Sequence, residues 1–116
     1  MSVGRAALKV KNWKAGIAEF ALAVAAKPAD ADANNLLGYS YRKSGDLTNA
    51  FKFYSIALSI DPKHTGALEY QGEAFVMAGK PAQAKANLAK LQAICGTSCE
   101  QYKDLAAFIA KPPKKK

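Results

Sequence analysis

Little in this sequence is equipped for chemistry. Its 116 residues hold one histidine, one tryptophan and two cysteines. His64, with no acid or nucleophile beside it, reads as an exposed turn residue and forms neither a Ser–His–acid set nor an H-E-x-x-H metal site. Two cysteines and one distant histidine fall short of a zinc ligand set. No Gly-rich phosphate loop follows a strand, because no strand pattern is present. The nine carboxylates fall mostly at caps, turns and outer helix faces. Asp30, Asp46 and Asp61 sit at helix boundaries, where they cap an N-terminus or offset a dipole. Neither an enzyme nor a bound cofactor is expected. No run approaches ~18 consecutive apolar residues, so no membrane-spanning helix is expected. The start, MSVGRAALKVKN, lacks the continuous apolar core of a secretory leader, as would a chain whose leader had been removed.

Arginine is scarce too, with only Arg5 and Arg42, although the net charge is +8. Lys111, Lys114, Lys115 and Lys116 belong to the tail KPPKKK, where two prolines and a lysine run leave nothing to pack, so residues 111–116 are expected to be disordered. The remaining charge is scattered. Nucleic-acid readers cluster Arg and Lys on one face with aromatics interleaved, so nucleic-acid binding is not expected. Half the residues are hydrophobic, which suits one globular domain if its elements stack.

What is present is repetition. The stretch from Ala31 to Pro62 reads as a helix, a turn at Gly45-Asp46 and a second helix stopped at Asp61-Pro62. Small residues at Gly38, Ala50 and Ala57 allow close helix approach, with Leu37, Tyr41, Tyr54 and Leu58 filling the space between. Shifted by 34 residues, Gly38 falls on Gly72 and Gly4, Gly45 on Gly79, Ala50 on Ala84, Tyr41 on Phe75 and Pro62 on Pro28. A fixed period of this size marks a helical solenoid.

The pattern resembles the tetratricopeptide repeat, W-x2-L-G-x2-Y, A-x3-F-x2-A, P. The central repeat matches at Leu37, Gly38, Tyr41, Ala50, Tyr54, Ala57 and Pro62, with Asn34 at the tryptophan position. The downstream repeat keeps Gly72, Phe75, Ala84 and Leu88, but carries Gln71 and Gly96 in place of leucine and proline. The upstream repeat keeps Gly4, Gly16, Phe20, Ala23 and Pro28.

The implied fold is all-α: a short right-handed solenoid of about three helix–turn–helix repeats (about 1–30, 31–64 and 65–98) plus a capping helix at 99–110. Helices are expected at about Ser2–Lys11, Trp13–Ala26 with Asn12 as cap, Ala31–Ser44, Leu47–Ile60, Thr65–Ala78, Pro81–Ile94 and Cys99–Ala110. On the second of these, Trp13, Ile17, Phe20, Ala21 and Val24 share a face, with Trp13 expected in a core or edge-packing role rather than stacking on a ligand. In the capping helix, Tyr102, Leu105, Ala106 and Ile109 take the inner positions, while Gln101, Lys103 and Asp104 face outward.

The resemblance further implies a non-catalytic module that holds a protein or peptide segment in a groove lined by the first helix of each repeat. That face carries Arg5, Leu8 and Lys9, then Asp32, Asn35, Tyr39, Arg42 and Lys43, then Glu69, Glu73, Val76 and Met77. Asn35, Tyr39, Arg42, Lys43, Glu69 and Glu73 are the candidate partner-binding residues, with Tyr39 as anchor. The spacing alone puts Asn35, Tyr39, Arg42 and Lys43 on one helical stripe, which is equally what a solvated face looks like. Leu36 and Tyr70 stand where the family's carboxylate clamp needs asparagine and arginine, so an acidic chaperone tail is not the expected ligand. The alternative function is structural: self-association into a homo-oligomer, or docking, through helix ends left apolar at Val3, Ala7 and Ile17.

Cys95 and Cys99 bracket Gly96-Thr97-Ser98. A disulfide is favoured, because the only two thiols lie one short turn apart. A C-x3-C pair is not the thioredoxin spacing, and two reduced packing thiols are the remaining alternative. A disulfide would clamp the capping helix and place the protein in an oxidising compartment, most simply a bacterial periplasm.

Overall fold

The computed structural model describes residues 13–112. The helix expected over 2–11, its inner-face residues Arg5, Leu8 and Lys9, the Asn12 cap, Val3, Ala7 and the lysine run 114–116 lie outside the described residues. Within them are six helices and no strand. We number these α1 (Trp13–Ala26), α2 (Ala31–Ser44), α3 (Leu47–Ile60), α4 (Thr65–Met77), α5 (Pro81–Cys95) and α6 (Glu100–Ala110). The chain divides into two compact units between Pro62 and Lys63. The first contains α1, α2 and α3, and the second α4, α5 and α6.

Local chemistry sets the helix boundaries. Asp30 caps α2 by accepting from the Ala33 amide at 3.1 Å, and Asp46 caps α3 by accepting from the Asn49 amide at 3.0 Å. Each satisfies a donor that the first turn leaves without an intrahelical partner. Between α2 and α3, Gly45 takes φ 97°, and its amide and that of Asp46 close onto the carbonyls of Arg42 and Tyr41. Only a glycine adopts this left-handed turn without steric cost. Pro81 occupies the start of α5, where its missing N–H costs nothing. His64 differs from its expected role. It is half-buried, and its Nδ1 accepts from the Ala67 amide at 3.0 Å, so it caps α4. An imidazole is not a common cap, and the Lys63-His64 turn gave no signal for it.

In the first unit α2 packs against both α1 and α3. Phe20, Leu36 and Leu37 form a buried cluster with Ile17, Val24, Tyr41 and Phe53 around it. Gly38 lies against the ring of fully buried Tyr54, where a Cβ would be 2.8 Å from the ring and 3.1 Å from the Ala50 carbonyl. On α1 the buried residues are Gly16 and Phe20, whereas Ala21, expected inside, is exposed. Asn34 at the tryptophan position has its own function. Its side-chain amide donates to the Pro28 and Asp30 carbonyls at 3.1 and 2.9 Å, tying the α1–α2 turn to the start of α2.

In the second unit α4, α5 and α6 all touch one another. Ala67, Leu68, Ala74, Ala84, Leu91 and Leu105 are buried. Leu105 of α6 fills the notch at Gly72, where a Cβ would approach its side chain to 2.6 Å. Gln71, at the family's leucine position, accepts from the amide of buried Asn87, which also donates to the Leu68 carbonyl. A polar bridge between α4 and α5 thus replaces an apolar contact. On α6, Lys103 and Asp104 face solvent as expected, but Gln101 is half-buried.

Candidate interaction site

The six candidate partner-binding residues do not form a uniformly exposed stripe. Asn35 and Arg42 on α2 are 4% and 5% exposed, and Glu69 and Glu73 on α4 are 8% and 6% exposed. Only Lys43 is exposed, and Tyr39 is half-buried. The alternative reading of Asn35, Tyr39, Arg42 and Lys43 as a solvated face is therefore corrected for Asn35 and Arg42. The reason lies in α2 and α4 themselves, which are covered on more than one side, so a polar side chain at a surface-type register position can still be enclosed. Of the neighbouring inner-face positions, Asp32 and Met77 are exposed and Val76 is half-buried.

In the first unit two cationic side chains gather around one aromatic pair. Trp13 at the start of α1 meets Tyr39 of α2 edge to face, with ring centroids 6.0 Å apart and planes at 83°. This arrangement places the positive edge of one ring on the negative face of the other. The guanidinium carbon of Arg42 lies 5.2 Å from the Tyr39 centroid. The ammonium of Lys43 is 5.8 Å from the Trp13 ring and 5.9 Å from that of Tyr39. Two cations thus share the electron-rich faces of two rings, a contact worth roughly 0.5–1 kcal/mol for exposed Lys43 and more for enclosed Arg42. Tyr39 and Lys43 lie one turn apart on one helix face, which explains why one ammonium reaches both rings.

Residue spacing groups Tyr39, Arg42 and Lys43, whereas Trp13 reads from the sequence as a core or edge-packing residue. Its partnership with Tyr39 depends on the antiparallel packing of α1 on α2, a long-range contact that no local motif encodes. In the second unit, Glu69 and Glu73 are successive turns of α4, at the positions that Asn35 and Tyr39 hold in α2.

Among the described residues, no group of three or more histidine, cysteine, aspartate or glutamate side chains is placed to hold a metal ion. None of the described helices is long and apolar enough to cross a membrane. Cys95 and Cys99 form a disulfide, with their Cα atoms separated by 5.9 Å. Cys95 ends α5 and Cys99 caps α6, so a bond between them joins two helices across one turn.

No protein-family model matches the chain. No curated protein matches it in sequence. Its fold, however, matches the crystal structure of the Sgt2 TPR domain from Aspergillus fumigatus with a TM-score of 0.84. The match covers 99% of this chain and 83% of that one at 22% sequence identity. The architecture announced by the 34-residue period is the one adopted: the chain has the tetratricopeptide-repeat fold.

Proposed function

We propose that this protein is a non-catalytic interaction module that holds a protein or peptide segment against α2. The observation that carries this reading is the Trp13–Tyr39 pair, a rigid aromatic surface with a polar tip, flanked by the amine of Lys43. Aromatic anchors of this kind concentrate binding energy, because they bury large areas at small conformational cost. Tyr39 and Trp13 supply the apolar contact, and Lys43 supplies a mobile charge that can leave the rings for a partner's acceptor. Arg42 is enclosed and sits over Tyr39, so it orients the ring rather than reaching outward. Asn35 lies on the same helix at a buried position, and Glu69 and Glu73 are buried on α4 of the second unit. A Cys95–Cys99 disulfide supports residence in an oxidising compartment, which for a bacterial protein is the periplasm.

The test is capture of partners from source-cell extract with wild-type, Tyr39→Ala, Lys43→Ala and Arg42→Ala baits. Tyr39→Ala is expected to lose the partner with helicity unchanged. Lys43→Ala weakens capture, more so at low salt. Arg42→Ala lowers both capture and thermal stability, because it empties a buried position. Equal capture by all four baits would move the site away from α2.

A further inference from the structure

The α6 helix is the shortest of the described helices and depends on its neighbours. At eleven residues it is shorter than the ~12–15 residues an isolated helix needs to persist in water. Leu105 is its one fully enclosed side chain, and Cys99, its N-cap residue, makes no side-chain capping bond. It packs on α4 and α5 with Tyr102, Ala106, Phe108 and Ile109 half-buried, and two further features tie it to the second unit. One is Leu105 seated in the Gly72 notch. The other is the Cys95–Cys99 link to the end of α5.

We propose that this disulfide is a redox-controlled guard against the exchange of α6 between two copies of the chain. With the bond closed, the Cα atoms of Cys95 and Cys99 are held 5.9 Å apart. Four residue steps of open chain can span up to about 13–14 Å, so the closed clip denies α6 the reach to swing away. A dithiol reductant donates two electrons and two protons. The S–S bond breaks, Cys95 and Cys99 become thiols, and the reductant leaves as its own disulfide. Gly96, already at φ 76°, then becomes the pivot of an unclipped Gly96-Thr97-Ser98 hinge.

The freed helix docks in the vacated place on a second copy, which returns its own α6. The occupant is a second copy because the notch is cut to this helix. At Gly72 there is no room for even a Cβ beside Leu105, and only another copy presents the same leucine in the same frame. Exchange replaces every contact within one chain by the identical contact between two, which makes it a low-cost route to a dimer.

The geometry of the exchanged dimer supplies its own test. Each α6 would bring its Cys99 beside Cys95 of the other copy, so reoxidation should bond the chains crosswise. The full chain, half of it isotopically labelled, is reduced with a dithiol at high concentration, reoxidised, and analysed by non-reducing electrophoresis and peptide mass mapping. The expected result is a covalent dimer carrying Cys95–Cys99 bonds between labelled and unlabelled chains. In parallel, sedimentation should show a monomer before reduction and a concentration-dependent dimer after it. The Cys95→Ser/Cys99→Ser variant should dimerise without reductant, with α6 amides exchanging at least about tenfold faster than in the oxidised monomer at low concentration. Reoxidation that yields only intrachain-bonded monomer overturns the proposal, as do symmetric Cys95–Cys95 or Cys99–Cys99 pairs. Alkylation of protein isolated without reductant is a separate reading. Free thiols there would remove the disulfide itself, and the guard with it.

Discussion

At the scale of single residues, the tight approach at Gly38 is open to a direct test. Gly38 has the Tyr54 ring on one side and the Ala50 carbonyl on the other, so a methyl there meets a ring that is itself fully buried. Neither neighbour is the free end of a flexible chain. Gly38→Ala should therefore destabilise the protein by about 1–3 kcal/mol, the usual cost of overpacking, seen as a lower urea midpoint with an unchanged slope. A stability equal to wild type would mean that α2 and α3 are less closely packed than described.

Asp46 offers a second residue-scale test. The Asn49 backbone amide, and then the Asn49 side-chain amide at 2.7 Å, donate to its carboxylate and hold its pKa below the ordinary value, with slight desolvation opposing. A carboxyl whose folded pKa is depressed contributes stability that is present above its unfolded pKa. That contribution is lost as the pH falls through the folded pKa. The stability gap between wild type and Asp46→Ala should accordingly narrow as urea titrations move from neutral pH into the acid range. A gap independent of pH would show that the capping bonds do not form in solution.

At the scale of elements, much was legible. The bounds of α1, α2 and α3 follow from Pro28, Asp30, Gly45, Asp46 and Pro62, because each of these residues imposes its turn locally. The start of α5 is legible at Pro81 for the same reason. The later ends moved by a residue: α4 stops at Met77 with Ala78 as its cap, and α5 runs on to Cys95. What could not be read was which polar side chains the helices would enclose. Asn35 and Arg42 obey the spacing of a solvated stripe, and Glu69 and Glu73 follow from the repeat register, yet burial is decided by neighbours distant in sequence. The Trp13–Tyr39 contact was hidden for that reason too. The cap of α4 is a third case, since His64 acts through an imidazole nitrogen where a short oxygen-bearing side chain is usual. His64→Ala should lower stability by about 1 kcal/mol, as loss of a capping acceptor does, and His64→Asp should recover most of it in thermal melts. If neither substitution changes the melt, the first turn of α4 is held by packing alone.

At the scale of the whole molecule, charge and fold make separate claims on function. The net charge of +8 depends heavily on the lysines after residue 110, four in all. A basic tail attracts any polyanion through counterion release, and such binding weakens steeply with salt whatever the fold beside it. The Trp13–Tyr39 surface works differently, through enclosed apolar contact that salt screens little. A chain ending at Pro112 keeps all six helices and loses three lysines. It should show unchanged helicity and melting temperature, and should capture its protein partner as the full chain does at moderate salt. Its retention on heparin or on anionic vesicles should fall to that of a weakly basic protein. If truncation instead abolishes partner capture while Tyr39→Ala does not, recognition belongs to the tail. The repeat fold would then serve as its carrier.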